Sequence, residues 1–144
     1  MEVPAHLWVM AGALKDLKVW QESVALAVDV VRALRPHVRR ETKAVSDLVM
    51  VTAATAASRI AEGYHEYATS EQHDLYRSAR RDLARLETQL AIARQADLLE
   101  AAPYAALTQR IHSVSRLLGG YLVYLERQLS SGDQEIKTSG AASR

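Results

Sequence analysis

The sequence predicts an all-α fold, an antiparallel up-and-down four-helix bundle. Three observations carry that expectation. Apolar residues recur at helical spacing through four separate segments. The connections between the segments are short and hold the breakers Pro36, Gly63 and Pro103. No stretch carries a β-hairpin signal, an internal repeat or a Gly-rich phosphate loop.

In the first segment Leu17, Trp20, Val24, Ala27, Val31 and Leu34 make a heptad-like stripe, and Pro36 ends it. A basic connector, RPHVRRETK, follows. The second segment, from about Lys43 to Glu62, places Val45, Leu48, Val49, Thr52, Ala56 and Ile60 on one face. Its alanines make it thin, so that a neighbour can approach closely. Gly63 reads as a C-cap, because a residue without Cβ adopts the left-handed conformation freely. Thr69 opens T-S-E-Q, which reads as a capping box with Gln72. The third segment runs to about Ala96, with Leu75, Ala79, Leu83, Leu86, Leu90 and Ala93 inward. Pro103 suits the first turn of a fourth helix carrying Leu107, Ile111, Val114, Leu118, Tyr121, Leu125 and Leu129. Gly119-Gly120 interrupts that helix at about 1 kcal/mol per glycine relative to Ala. The pair reads either as a tolerated kink or as a notch that admits another helix, within the bundle or at a subunit interface.

The expected organisation is a loose leader over 1–14, the bundle over 15–129, and a disordered polar tail over 130–144. The leader has a short apolar run, but Glu2 and the absence of Lys or Arg before it argue against a secretory signal. No apolar run reaches the ~20 residues of a membrane span.

The chain has 144 residues, 49% hydrophobic but only 6% aromatic and with no Phe, so its core is aliphatic, as suits packed helices. Lys and Arg total 18 against 17 Asp and Glu, so net charge points to no partner and any basic patch must be local. With no Cys, disulfides, thiolate nucleophiles and Cys-ligated metals are excluded.

Little else resembles a catalytic centre. Glu62 and His65 match the Glu-x-x-His spacing of carboxylate-bridged di-iron bundles, but such sites need two of these motifs and further inward glutamates. A metal-binding or enzymatic bundle using this corner is therefore the alternative reading. In the favoured one Arg59, Glu62, Gly63 and Tyr64 form a structural corner, Glu62 pairing with Arg59 or with backbone N–H groups, and Tyr64 and Tyr67 covering the end of the bundle. No histidine pair has the spacing of a helical zinc site, and no serine sits in a nucleophile elbow. No metal, cofactor or catalytic residue is expected.

The basic residues are the remaining signal. Arg32, Arg35, Arg39, Arg40 and Lys43 gather around the first connector, and Arg77, Arg81 and Arg85 recur every four residues on the third helix. An arginine stripe is more often a solvated face than a nucleic-acid site, because charge alone is unspecific. Repetition around a ring would make the same stripe multivalent.

Three pieces together, DLKVWQESVALAVDV (Asp16–Val30), RIAEGY (Arg59–Tyr64) and LARLETQLAIARQADLL (Leu83–Leu99), resemble a known family. It comprises the bacterial four-helix-bundle proteins encoded in intervening sequences of 23S ribosomal RNA genes. Accessory variability proteins of diversity-generating retroelements, which partner a reverse transcriptase and bind nucleic acid, are more distant relatives. The similarity spans Leu14 to Arg127. It implies a cytoplasmic, non-enzymatic protein that assembles as a ring-shaped homopentamer and has no membrane partner, with RNA, DNA or a reverse transcriptase as candidate partners. The chain departs from the family pattern at Ala57, where Pro is frequent, and at Arg59, where Asn is common. Arg81 and Arg85 stand at positions that are often small or acidic.

Overall fold

A computed structural model describes residues 14–142. Its four long helices are α1 (Lys18–Leu34), α2 (Lys43–Tyr64), α3 (Thr69–Gln95) and α4 (Ala101–Ala142), with a 3-10 turn at Arg35–His37. No strand occurs among the described residues. Each helix packs on its neighbours in sequence, and α4 returns to α1. Cross-helix pairs fix the register. Early α3 meets late α4 (His73 with Glu126, 3.1 Å), and later α3 meets earlier α4 (Glu87 with His112, 3.0 Å). On the other side of α4, Arg110 reaches Asp29 of α1 at 2.6 Å.

The core is aliphatic. Val19, Leu26, Val30 and Leu34 of α1 meet Val49, Ala53 and Ile60 of α2, Leu83, Leu86 and Leu90 of α3, and Ile111, Val114 and Leu118 of α4. Burying each of the larger side chains is worth about 1.5–3 kcal/mol. Helix α2 has the length and apolar composition of a membrane span, contrary to the expectation from apolar runs alone. Here its inward residues are part of the bundle core.

The inward faces differ from the expected ones in informative ways. On α1 the buried stripe is Val19, Ser23, Leu26, Val30 and Leu34, one residue before the predicted stripe along most of the helix and rejoining it at Leu34. Apolar residues fill the predicted stripe and, Ser23 apart, the buried one, so spacing alone does not choose between them. Leu17, Trp20 and Ala27 pack partly, while Val31 stays exposed. Leu48 of α2, predicted inward, is 53% exposed. On α3 Tyr76, rather than Leu75, is buried.

The ends of the helices also depart from expectation. The cap of α3 is Ala68, with no side-chain cap bond, so the predicted Thr69 capping box does not form. Helix α3 instead ends in a Schellman arrangement: Leu98 N–H reaches Ala93 O at 2.8 Å and Asp97 N–H reaches Arg94 O at 3.3 Å. Asp97 takes the left-handed conformation there, at φ 63°. Helix α4 continues to Ala142, so the expectation of disorder from residue 130 is corrected for 130–142. Among the residues whose burial is described, none of α4 after Leu125 is buried. Most of the predicted leader, 1–13, and the final residues 143–144 lie outside the described residues.

Candidate nucleic-acid interface and apolar groove

The corner between α2 and α3 is built differently from its sequence reading. Helix α2 runs through Gly63 to Tyr64, and His65 N–H caps it on Ala61 O. No described glycine has a positive φ, so Gly63 is not a left-handed cap. Its role is close approach. A Cβ on Gly63 would stand 2.8 Å from both Cδ1 and Cε1 of Tyr76. Gln72 reaches back from α3, but its Nε2 donates to Gly63 O at 2.9 Å and so ties the two helices together.

Glu62 is exposed and pairs with neither Arg59 nor a backbone N–H among the described residues. Arg59 turns instead to α3, where its Nε donates to Asp82 Oδ2 at 2.5 Å. The other oxygen of Asp82 accepts from Arg85 at 3.2 Å. The Asp82 side chain is only 4% exposed, so its charge is balanced inside the seam by two guanidinium groups. Tyr64 meets His65 edge to face at 5.3 Å, and Tyr67 stands fully in solvent rather than covering the bundle end. No group of three or more His, Asp or Glu that could hold a metal occurs among the described residues.

Two further groups are perturbed around this corner. Burial, with lesser contributions from Tyr121 and Tyr64, pushes the Tyr76 hydroxyl up to about 12. Glu71, in the first turn of α3, is held above the ordinary carboxylate value by a hydrogen bond to Glu66 and by repulsion from it.

The arginines of α3 divide into two kinds. Arg77 and Arg81 are exposed and have no ion-pair or hydrogen-bond partner among the described residues. Arg80, which the sequence reading passed over, is exposed and unpartnered in the same sense. Arg85 belongs to the Asp82 cluster, so it is not a free member of the stripe. At the first connector Arg35 lies in the 3-10 turn, and Arg39 and Arg40 are exposed beyond it. Lys43 is offset by Asp47 at 2.5 Å. Arg32 lines a groove of ≈ 720 Å³ between α1 and α4, together with Arg110, Arg116, Asp29 and Glu22.

A second groove, ≈ 490 Å³ and mainly apolar, lies where the start of α1 and the α2–α3 corner meet the middle of α4. Leu17, Tyr64, Tyr76, Leu117, Gly120, Tyr121 and Tyr124 line it. Beside it, a Cβ added at Gly119 or Gly120 would meet no atom within 4 Å. Among the described residues the glycine pair therefore serves no close approach within the bundle, which leaves a tolerated kink or an outward notch.

Residues 15–120 match the family model described as 23S rRNA-intervening sequence protein. The chain belongs to this family. No curated protein matches it. The matched span takes in α1, α2, α3 and the buried part of α4 as far as Gly120, so the family's signature is the bundle itself. Asp82, Tyr76 and Arg80 are the residues that sequence reasoning missed. Asp82 reads in the sequence as one acid among arginines, and only its pairing across to Arg59 distinguishes it.

Proposed function

We propose that the protein is a non-catalytic, cytoplasmic assembly protein, a homopentameric ring of antiparallel bundles whose repeated arginines engage the phosphate backbone of RNA or DNA. The observation that carries the assembly is the open glycine pair, Gly119-Gly120, at the apolar groove where the start of α1 and the α2–α3 corner meet α4. Two glycines in a helix cost about 2 kcal/mol in all relative to Ala, and no close approach among the described residues repays that. A backbone approaching from another copy would. A different exposed apolar face, with Leu48 and Val51 on thin α2, gives each copy a second surface. Two unlike surfaces per subunit are what a head-to-tail ring requires. The backbone-binding part is supported by Arg77, Arg80 and Arg81, exposed and without partners among the described residues.

Light scattering on the purified protein tests the assembly. The expected mass is that of five subunits at micromolar concentration. A monomer overturns the assembly, and a dimer or tetramer overturns the pentamer. Titration of a labelled RNA at low and high salt tests the second part, and the affinity is expected to fall steeply with salt.

A further inference from the structure

We propose that Asp82 is a positioning residue that sets Arg59 and Arg85 as a two-armed clamp for a nucleic-acid phosphate on the α2–α3 seam. The proposal rests on the nucleic-acid reading above and assigns that reading a site. Arg59 comes from α2 and Arg85 from α3, and the carboxylate between them gives one oxygen to each. The Arg59 bond uses Nε alone, so both terminal nitrogens of that guanidinium remain free to donate. Its side chain is 36% exposed and that of Arg85 is 66% exposed, whereas that of Asp82 is 4% exposed. An incoming anion therefore meets the guanidinium groups and not the carboxylate.

The charge balance favours the same ligand. Two arginines against one acid leave the cluster a net positive charge. A free arginine loses side-chain entropy when it grips a phosphate. Arg59 and Arg85 have already lost part of it to Asp82, so less is lost on binding. Planar guanidinium groups held in this way suit the paired oxygens of a phosphodiester.

A purely structural role and a positioning role predict opposite signs for one substitution. Asp82→Asn removes a negative charge from a phosphate-binding surface. If Asp82 only closes the seam, the variant melts at lower temperature but binds RNA as tightly as the original or more tightly. If Asp82 positions the clamp, binding weakens about tenfold at low salt, the loss of roughly one charge-assisted contact. A second variant, Arg59→Lys, keeps the charge and a donor for Asp82 but lacks the free terminal fork. It is expected to weaken binding by a similar factor while leaving the salt dependence nearly unchanged, because the positive charge stays and only the fork is lost. Both variants are assayed as full-length protein by anisotropy of a labelled single-stranded RNA, with circular dichroism and light scattering as checks on fold and assembly. Where Asp82→Asn does not fold, Arg59→Lys decides. RNA binding by the unaltered protein with no loss in the folded variants overturns the clamp alone. No binding by the unaltered protein overturns both the clamp and the nucleic-acid reading.

Discussion

The Tyr76 ring stands 2.8 Å from where a Cβ on Gly63 would sit, so the α2–α3 corner closes only because residue 63 has no side chain. Gly63 lies inside a helix, where alanine would ordinarily stabilise by about 1 kcal/mol. Here the added methyl must displace a ring that is only 2% exposed. Overpacking of this kind costs about 1–3 kcal/mol, enough to match or exceed the propensity gain. Gly63→Ala is therefore expected to lower the melting temperature by a few degrees. Combining it with Tyr76→Leu should cost less than the sum of the two single changes, because the smaller side chain relieves the clash. Thermal denaturation of the three variants checks this, and a raised melting temperature for Gly63→Ala would refute it.

The Glu66–Glu71 contact gives a pH-dependent expectation. Glu71 carries a raised pKa in the folded chain because Glu66 shares a hydrogen bond with it and repels its charge. Such a group binds its proton more tightly when folded. Its contribution to stability is therefore present at low pH and is lost as pH rises through the carboxylate range. Glu66→Gln removes the repulsion while leaving Glu71 at the N-terminal end of α3, where a negative charge is favourable. The variant is expected to melt higher than the original near pH 7, and the difference to shrink at low pH as Glu71 takes up its proton. NMR titration should show the Glu71 pKa moving back toward the ordinary value in Glu66→Gln. An unmoved Glu71 titration would show that Glu66 is not the cause.

Gly119 and Gly120 give opposite expectations for a lone chain and for an assembly. With nothing within 4 Å of either built Cβ, alanine fits the monomer without strain and should stabilise α4 by about 1 kcal/mol per site. If the notch receives another copy, the same methyl groups hold the two backbones apart. Gly119→Ala with Gly120→Ala is expected to lower the assembly mass at micromolar concentration in light scattering while leaving helical content unchanged. An intact assembly with a higher melting temperature would place the subunit contact elsewhere.

Much of this fold was legible because helical spacing registers any amphipathic segment: four helices occur where that spacing put them, although α4 runs on past residue 129 to Ala142. The phase of a helix was less legible. Val30 and Val31 are equally apolar, yet only Val30 is buried, because the choice depends on where α2 and α4 lie. The corner was misassigned for a related reason. A glycine near a helix end suggests a cap, and only the position of Tyr76 shows that close approach decides it. Asp82 was invisible for the same cause. Its partner Arg59 lies 23 residues away, and no local pattern pairs them.

The last expectation concerns the free arginines of α3. Arg77, Arg80 and Arg81 are exposed and bear no structural pairing among the described residues, whereas Arg85 is committed to Asp82. Changing the first three to Gln removes positive charge without opening the seam, so fold and assembly mass should persist. Exposed arginines cover apolar surface with their stems, but Gln keeps part of that cover, and stability should change by no more than about 0.5 kcal/mol. Affinity for a labelled RNA should fall sharply at low salt. Each lost phosphate contact should reduce the log–log salt slope by about 0.7 to 0.9, so three lost contacts in one footprint flatten it by roughly two or more. Few aromatics lie beside these residues on α3, so base stacking adds little, and duplex should bind about as well as a single strand. Titration at several salt concentrations separates the outcomes. An unchanged slope in the triple variant would mean that this face is solvated surface and that any nucleic-acid contact lies elsewhere on the bundle.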